Sequence, residues 1–322
     1  MAGPIGRASG SAAAGRGILN LEREAVAIVD RLPELLMEAD RIASTVAHGI
    51  HGRRRAGPGE TFWQFRQHQS GEGAQLVDWR RSASSDHLYV REREWEAAHT
   101  LFLWPNISRS MQFKSHLSKI TKAERALVLM LGATELLVRG GERVALLGVT
   151  QPTASRRATQ KLAEALLMSA GDAADATEPP ATRLTRFSTV ILFSDFLDPI
   201  EKIRATIDAL GAAGANGHLV QILDPAEETL AYAGRTEFLS PDGSQRWIAD
   251  RAESLRDRYR ARLAAHRAEI QDIAHHLGWS FLVHHTDRPA SEPLLSLLMQ
   301  LQGATSGYRW KGANGNGAEA SR

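Results

Sequence analysis

The feature that most constrains this chain is a regular alternation of short apolar segments with longer segments of helical spacing, from Thr100 onward. The short segments predict strands, which we place at residues 100–104, 143–149, 189–193, 218–223 and 279–283. Strands joined by helices of ten or more residues need crossover connections, and these pair strands in parallel. We therefore expect an α/β fold over residues 97–308, a doubly wound, mainly parallel sheet with helices on its faces. Residues 229–248, with Pro241-Asp242-Gly243 between two short apolar runs, predict a hairpin inserted into it.

The sequence outside this alternation divides into four segments. Residues 18–47 have apolar residues at helical spacing and predict an N-terminal helix. Residues 48–96 combine glycines, aromatic residues and dense mixed charge without a sustained period, which predicts a small irregular or β subdomain. Residues 1–17 and 309–322 are rich in small and polar residues and predict disordered tails.

Composition excludes several classes of function. The absence of cysteine removes thiolate nucleophiles, cysteine-ligated zinc and disulfides, and it fits a reducing, cytoplasmic location. A formal net charge of +2 provides no strong field for polyanions, and arginines near Arg53 are balanced by neighbouring acids, so no nucleic-acid partner is expected. No apolar stretch approaches the ~20 residues of a membrane span.

Polar side chains follow two of the predicted strands where each strand ends. Asn106, Ser108 and Ser110 follow the first strand, and Asp195 follows the third. In a doubly wound sheet ligands bind outside the carboxyl ends of the strands, so these residues are the candidate site. An all-oxygen cluster suits a hard divalent cation. The same residue types are also ordinary cap and turn residues after strands, and both interpretations stay open here.

An ordered set of residues precedes the sheet between His51 and Glu94. Its members are Gly57, Gly59, Phe62, Arg66, Val77-Asp78-Trp79, Ser82-Ala83 and Val90-Arg91-Glu92. This set resembles the signature of a bacterial family catalogued as domain of unknown function 58, and the resemblance runs from about residue 48 to residue 301. It implies that Arg66, Asp78, Trp79 and Ser82 are structural anchors. The chain departs from the family pattern at Glu72, Gln75 and Ser84.

The two strand-end loops resemble a degenerate form of the von Willebrand factor type A metal site, whose first motif is Asp-x-Ser-x-Ser. Here the leading residue is Asn106, which keeps a carbonyl oxygen and loses the negative charge. The resemblance implies either a weakened Mg²⁺ or Mn²⁺ site or no cofactor. A threonine ligand common in such sites has no evident counterpart, with Thr150, Thr177 and Thr182 as candidates.

Enzyme motifs that would nominate a nucleophile with its base are missing from the sequence. We therefore expect a non-catalytic interaction or adaptor protein. The family resemblance implies a MoxR-type AAA+ ATPase as partner, in chaperone-like assembly or remodelling. The alternative is a metal-dependent hydrolase in which Asp195 and Ser108 hold a cation that polarises the substrate.

Overall fold

The structure is a computed structural model that describes residues 31–47, 64–68, 77, 79–83, 85, 87–92, 99–173, 176–185, 188–241 and 243–311. The expected tail at residues 1–17 lies outside the described residues, whereas the last helix continues to Lys311, three residues into the segment expected to be the second tail. The chain divides into two compact units, one of residues 48–98 and one of the remainder.

The elements alternate along the chain as follows. The helices are α1 (residues 31–47), α2 (Trp79–Ser82), α3 (Lys122–Arg139), α4 (Ala158–Ala173), α5 (Ile200–Ala212), α6 (Pro225–Thr229), α7 (Arg256–His276) and α8 (Ser291–Lys311). The strands are β1 (Gln64–Gln67), β2 (Tyr89–Glu92), β3 (Thr100–Pro105), β4 (Arg143–Leu146), β5 (Thr189–Ser194), β6 (Asn216–Leu223), β7 (Thr236–Leu239), β8 (Arg246–Ala249) and β9 (Ser280–His285). Short 3₁₀ helices cover Arg109–Gln112 and Ala252–Leu255.

A five-stranded sheet in the order β4-β3-β5-β6-β9 forms the centre of the larger unit, and its strands are all parallel. An antiparallel bridge from Val144 to Thr153 adds to its β4 edge. After β3 the next strand, β4, is added at one edge of the sheet, whereas after β5 the following strands, β6 and β9, are added toward the other edge. The junction of β3 and β5 is therefore the topological switch point, where ligands of such sheets bind. The predicted α/β parallel fold is confirmed.

Successive residues of a strand point to opposite sides of a sheet, and here the residues on both sides are apolar. Helices therefore cover both faces of the sheet. Residues such as Phe102, Leu192 and Leu219 form a core with α5 and α7. The alternate residues, such as Leu103 and Phe193, are equally buried on the face covered by α3. An apolar sequence like that of α3 suits this position, because α1, α4 and α8 also pack around it.

The smaller unit pairs β1 with β2 in antiparallel register, with Arg66 opposite Val90. Ser82, one of the four expected anchors, is buried, and its hydroxyl accepts a hydrogen bond from the Tyr89 amide at 2.9 Å. Trp79, another of the four, is 60% exposed. Asp78 and the side chain of Arg66 lie outside the described residues.

The hairpin of the larger unit pairs β7 with β8, and its turn includes Pro241 and Gly243, inside the segment named from the sequence. Within the described ranges, no helix has the length and apolar character needed to cross a bilayer.

Candidate functional site

The loops after β3 and β5 meet at the switch point and hold three of the expected residues in one network. The Asn106 side-chain amide donates to Ser194 Oγ at 2.9 Å, and its carbonyl oxygen accepts from the Ser108 backbone amide at 2.9 Å. The hydroxyls of Ser108 and Ser110 lie 3.3 Å apart. Asp195 follows Ser194 directly and lines the same cleft as the two serines. All four candidate residues therefore lie at one edge of the sheet.

The backbone after Asp195 adopts an uncommon conformation. Phe196 has a φ of +48°, in the left-handed region that bulky residues avoid. Side chains from two other elements hold this turn: Gln221 donates to the Asp195 carbonyl at 2.9 Å, and His266 Nε2 lies 2.8 Å from the Phe196 carbonyl. Strained residues of this kind persist where the surroundings determine them, and they concentrate at functional sites.

Lys122 supplies the positive charge of this cluster. Its ammonium nitrogen donates to Asp195 Oδ2 at 2.9 Å and to Glu227 Oε1 at 2.6 Å. The side chains of Lys122 and Asp195 are each only 1% exposed. Lys122 is the first residue of α3, where a cation is disfavoured by the helix dipole. Its position is explained by the two carboxylates, which outweigh that penalty.

A capping box at the start of α6 presents Glu227 to the lysine. Asp224 accepts a hydrogen bond from the Ala226 amide, and Glu227 Oε2 accepts one from the Asp224 amide at 2.9 Å. The other carboxylate oxygen, Oε1, is left to pair with Lys122. Asp224 also accepts from the Ser115 amide, which ties α6 to the loop after β3.

Burial and charge pairing act together on the protonation of this cluster. Burial by itself lowers the pKa of Lys122, but the charges of Asp195 and Glu227 outweigh it, so the pKa is raised. Burial raises the pKa of Glu227, and the neighbouring Lys122 offsets only part of that effect. Lys122 is therefore a permanent cation in the folded protein at neutral pH.

The donor set does not fit a divalent cation in this arrangement. Among the four residues expected from the sequence, Asp195 is the one carboxylate, and an ammonium group already binds it at 2.9 Å. The Asn106 carbonyl is engaged by the Ser108 amide and adds no charge. The affinity of a site for a divalent cation increases with the negative charge of its ligands. A cation at this site would also be repelled by the positive charge of Lys122. Within the described residues, no group of three or more histidine, aspartate or glutamate side chains has the geometry of a metal site.

The three candidate threonines occupy different surroundings. Thr177 lines the cleft beside the strand ends and donates to Asp198 Oδ1 at 3.2 Å. Thr150 accepts from the Leu146 amide and Thr182 donates to the Pro180 carbonyl, both within their own loops. Among the three, Thr177 is the one that shares the cleft with Asp195.

A cleft of about 770 Å³ opens over this edge of the sheet, between the strand ends and the β7–β8 hairpin. Its floor includes Ser108, Ser110, Lys122, Asp195 and Glu227. Its walls are mostly apolar and aromatic, formed by Phe113, Leu197, Leu230, Tyr232, Phe238, Leu239, Trp247, Leu255 and Tyr259. A volume in this range and a lining of this kind are typical of ligand sites.

Lys122, Glu227 and the aromatic hairpin residues were not among the residues expected from the sequence. A lysine immediately after the N-cap Thr121 is one available signal, because this position favours acidic residues. Asp224-Pro225-Ala226-Glu227 is another, since it has the spacing of a capping box with proline at the first helical position. Neither signal indicates which residue the side chain meets across the fold.

Several proteins of known sequence resemble this chain. Uncharacterized protein Mb1516 of Mycobacterium bovis is 25% identical over 259 residues, which cover 76% of this chain and 80% of that protein. Uncharacterized protein Rv1480 of Mycobacterium tuberculosis matches with the same identity and coverage.

Two solved structures resemble the fold more distantly. The conserved hypothetical protein BatB from Bacteroides thetaiotaomicron aligns with a TM-score of 0.39 and 12% identity, over 64% of this chain and 100% of that chain. An aerotolerance-related membrane protein from Bacteroides fragilis aligns with a TM-score of 0.36 and 15% identity, over 61% of this chain and 96% of that chain. These likenesses are too weak to transfer any property.

A family match covers the site described above. The sequence model of the family described as "Protein of unknown function DUF58" matches residues 64–269, from β1 through both strand-end loops and the hairpin into α7. The residues that carried the resemblance from Arg66 onward and the whole Lys122–Asp195–Glu227 cluster lie within that span, and the chain belongs to the DUF58 family.

Proposed function

We propose that this chain is a non-catalytic interaction protein that docks a MoxR-type AAA+ ATPase through the carboxyl edge of its parallel sheet. The observation that carries the proposal is the buried ion pair of Lys122 with Asp195. It occupies the carboxylate on which metal-dependent chemistry at this edge would depend. What the edge still offers a partner is a wide cleft with an aromatic wall.

Rigid support of the edge favours docking. Asn106 and Asp195 lie in loops held by hydrogen bonds to neighbouring strands, and the capping box of α6 fixes Glu227. A preorganised surface binds with a smaller entropic cost than a mobile one. The choice of a MoxR-type ATPase as the partner comes from the family resemblance. The carboxyl edge of the sheet is the surface to which we propose that it binds.

Co-purification of the full chain with a MoxR-type AAA+ ATPase from the same genome tests the proposal. Two leucines of nearly equal exposure provide matched variants: Leu197 at the carboxyl edge is 39% exposed, and Leu277 before β9 is 40% exposed. We expect Leu197→Asp to lose retention of the ATPase and Leu277→Asp to keep it. Equal retention by both variants in the ATP-bound and ADP-bound states, or no retention by the unmodified chain, contradicts the proposal.

Titration calorimetry with MgCl₂ and MnCl₂ tests the role of Asp195. We expect no binding heat at millimolar cation, because the ammonium of Lys122 neutralises the carboxylate. Tight binding that disappears in Asp195→Asn, together with turnover of a generic phosphate ester, would instead establish a metal-dependent hydrolase.

A further inference from the structure

Tyr232, which precedes the hairpin, forms a continuous aromatic row over the strand-end cleft with Phe238 and Trp247 of the hairpin. The rings of Tyr232 and Phe238 meet edge to face with centroids 5.7 Å apart, and those of Phe238 and Trp247 stack at 5.6 Å. Trp247 is nevertheless 54% exposed. Stacked aromatic rings that remain open to solvent beside a cavity are typical of a surface that binds a partner.

Successive residues of β8 point to opposite faces of the hairpin, and Trp247 is on the face that lines the cleft. Trp247 lines the cleft and pairs with Phe238 across the hairpin, whereas the next residue, Ile248, points to the other face and does not line it. The two are exposed apolar neighbours on one strand and differ in the face they present. Ile248 is therefore a matched control for Trp247.

The charged groups of the cleft favour a cation over an anion. Three acids line it (Asp195, Asp198 and Glu227) against two bases (Arg109 and Lys122), which leaves one net negative charge. Lys122 is occupied by Asp195 and Glu227. Within the described residues, Asp198 accepts a hydrogen bond from Thr177 at 3.2 Å and forms no ion pair. Burial raises the pKa of Asp198, and the nearby charge of Lys202 offsets part of that effect. Asp198 is thus the carboxylate available to a ligand.

An aromatic wall and an available carboxylate together suit a side chain with a long apolar stem and a cationic end. Lysine and arginine place their methylene groups along apolar surfaces and their charges at polar ones. The faces of tryptophan and phenylalanine add an attraction for the cation. A volume of about 770 Å³ holds several side chains, so neighbouring apolar residues of the same segment enter as well.

We propose that this cleft binds a short peptide segment of a protein partner in which a lysine or arginine is flanked by apolar or aromatic residues. The basic side chain pairs with Asp198 and lies against Trp247, and the apolar neighbours fill the space beside Leu197 and Leu239. The inference rests on the proposed function only in taking a protein as the ligand.

Binding of two synthetic peptides to the full chain tests the inference. The probes are acetyl-Leu-Phe-Lys-Phe-Leu-amide and the same peptide with glutamate in place of lysine, each followed by fluorescence anisotropy of an attached dye. We expect the lysine peptide to bind at least about tenfold more tightly, which corresponds to one favourable charge contact. Trp247→Ala should weaken the lysine peptide about tenfold, and Ile248→Ala should leave its affinity unchanged.

A charge variant separates pairing from apolar contact. Asp198→Asn should weaken the lysine peptide and leave or improve the glutamate peptide, while Glu201→Gln, an exposed change outside the cleft, should alter neither. Thermal unfolding of each variant confirms that it is folded. Equal affinity for the two peptides, or equal losses in Trp247→Ala and Ile248→Ala, overturns the inference.

The outcomes also separate this inference from the proposed function. If the unmodified chain retains the ATPase and does not bind the lysine peptide at millimolar concentration, the assignment of the cleft is wrong and the docking proposal stands. If the peptide binds as expected and the ATPase is not retained in either nucleotide state, the docking proposal is wrong and the cleft assignment stands.

Discussion

At the scale of single residues, the charge of Lys122 decides what the strand-end cluster can do. Ser108, Ser110 and Asp195 have the residue types of a cation site, and Asn106 lacks the charge that such a site needs. Lys122 reaches this cluster from the start of α3 and pairs with the carboxylate of Asp195. The same oxygen-rich edge that would hold a metal ion therefore contains an internal cation.

Replacing Lys122 tests how much the buried ion pairs contribute to the free energy of unfolding. Lys122→Met keeps the length of the side chain and leaves Asp195 and Glu227 buried without a counter-charge, so we expect a loss of about 3–5 kcal/mol in the free energy of unfolding. Urea titration measures the loss. Arg246→Met breaks the exposed pair with Glu237 and should cost less than about 1 kcal/mol. Losses of similar size in the two variants would show that the buried ion pairs contribute no more to stability than the exposed pair.

At the scale of elements, close packing between Gly217 of β6 and Trp279, the residue before β9, holds the β9 edge strand against the sheet. Gly217 lies directly beneath Trp279, and a Cβ at this glycine would lie only 1.9 Å from the indole ring. The indole nitrogen also donates to the Ala215 carbonyl at 3.2 Å, which holds the ring in place. The glycine is needed for space, since its backbone conformation is an ordinary one.

Gly217→Ala should therefore destabilise the sheet. The added methyl group must displace Trp279 or the strand, and overpacking of a rigid core costs about 1–3 kcal/mol. Asn216→Ala, at the exposed neighbouring position of β6, is the control and should change the free energy of unfolding by about 0.5 kcal/mol or less. Thermal unfolding compares the two. Equal melting temperatures for the variants would show that Trp279 moves aside without cost.

At the scale of the whole molecule, buried histidines on neighbouring strands link folding to pH. Burial lowers the pKa of His218 to about 4, and burial with the nearby charge of Arg125 lowers the pKa of His284 to about 3. Each is neutral in the folded chain and becomes charged more readily when unfolded. The two neutral histidines therefore contribute fully to the free energy of unfolding above pH 6.5. This contribution is lost as the pH falls from 6.5 toward the pKa values of the folded state.

Comparison of variants isolates this effect from that of the carboxylates. Between pH 7 and pH 5.5 the unmodified chain should lose about 1 kcal/mol more stability than His218→Asn, because one pKa unit corresponds to about 1.4 kcal/mol. Asparagine retains a group that can bond the Ser280 hydroxyl, which lies 2.7 Å from His218 Nδ1. His116→Asn, at an exposed position, should follow the unmodified chain. Parallel pH profiles for all three proteins would contradict the assignment.

The sequence by itself determined the parallel sheet and the edge at which Asn106, Ser108, Ser110 and Asp195 meet. Both follow from local apolar periodicity and from the rule that parallel strands end together. Only the tertiary structure decided that Lys122, 73 residues from Asp195 and 105 from Glu227, neutralises that edge, and that the hairpin places Trp247 above it. The physical reason is that periodicity reports which face of an element is buried, whereas the partner of a buried charge depends on how distant elements pack.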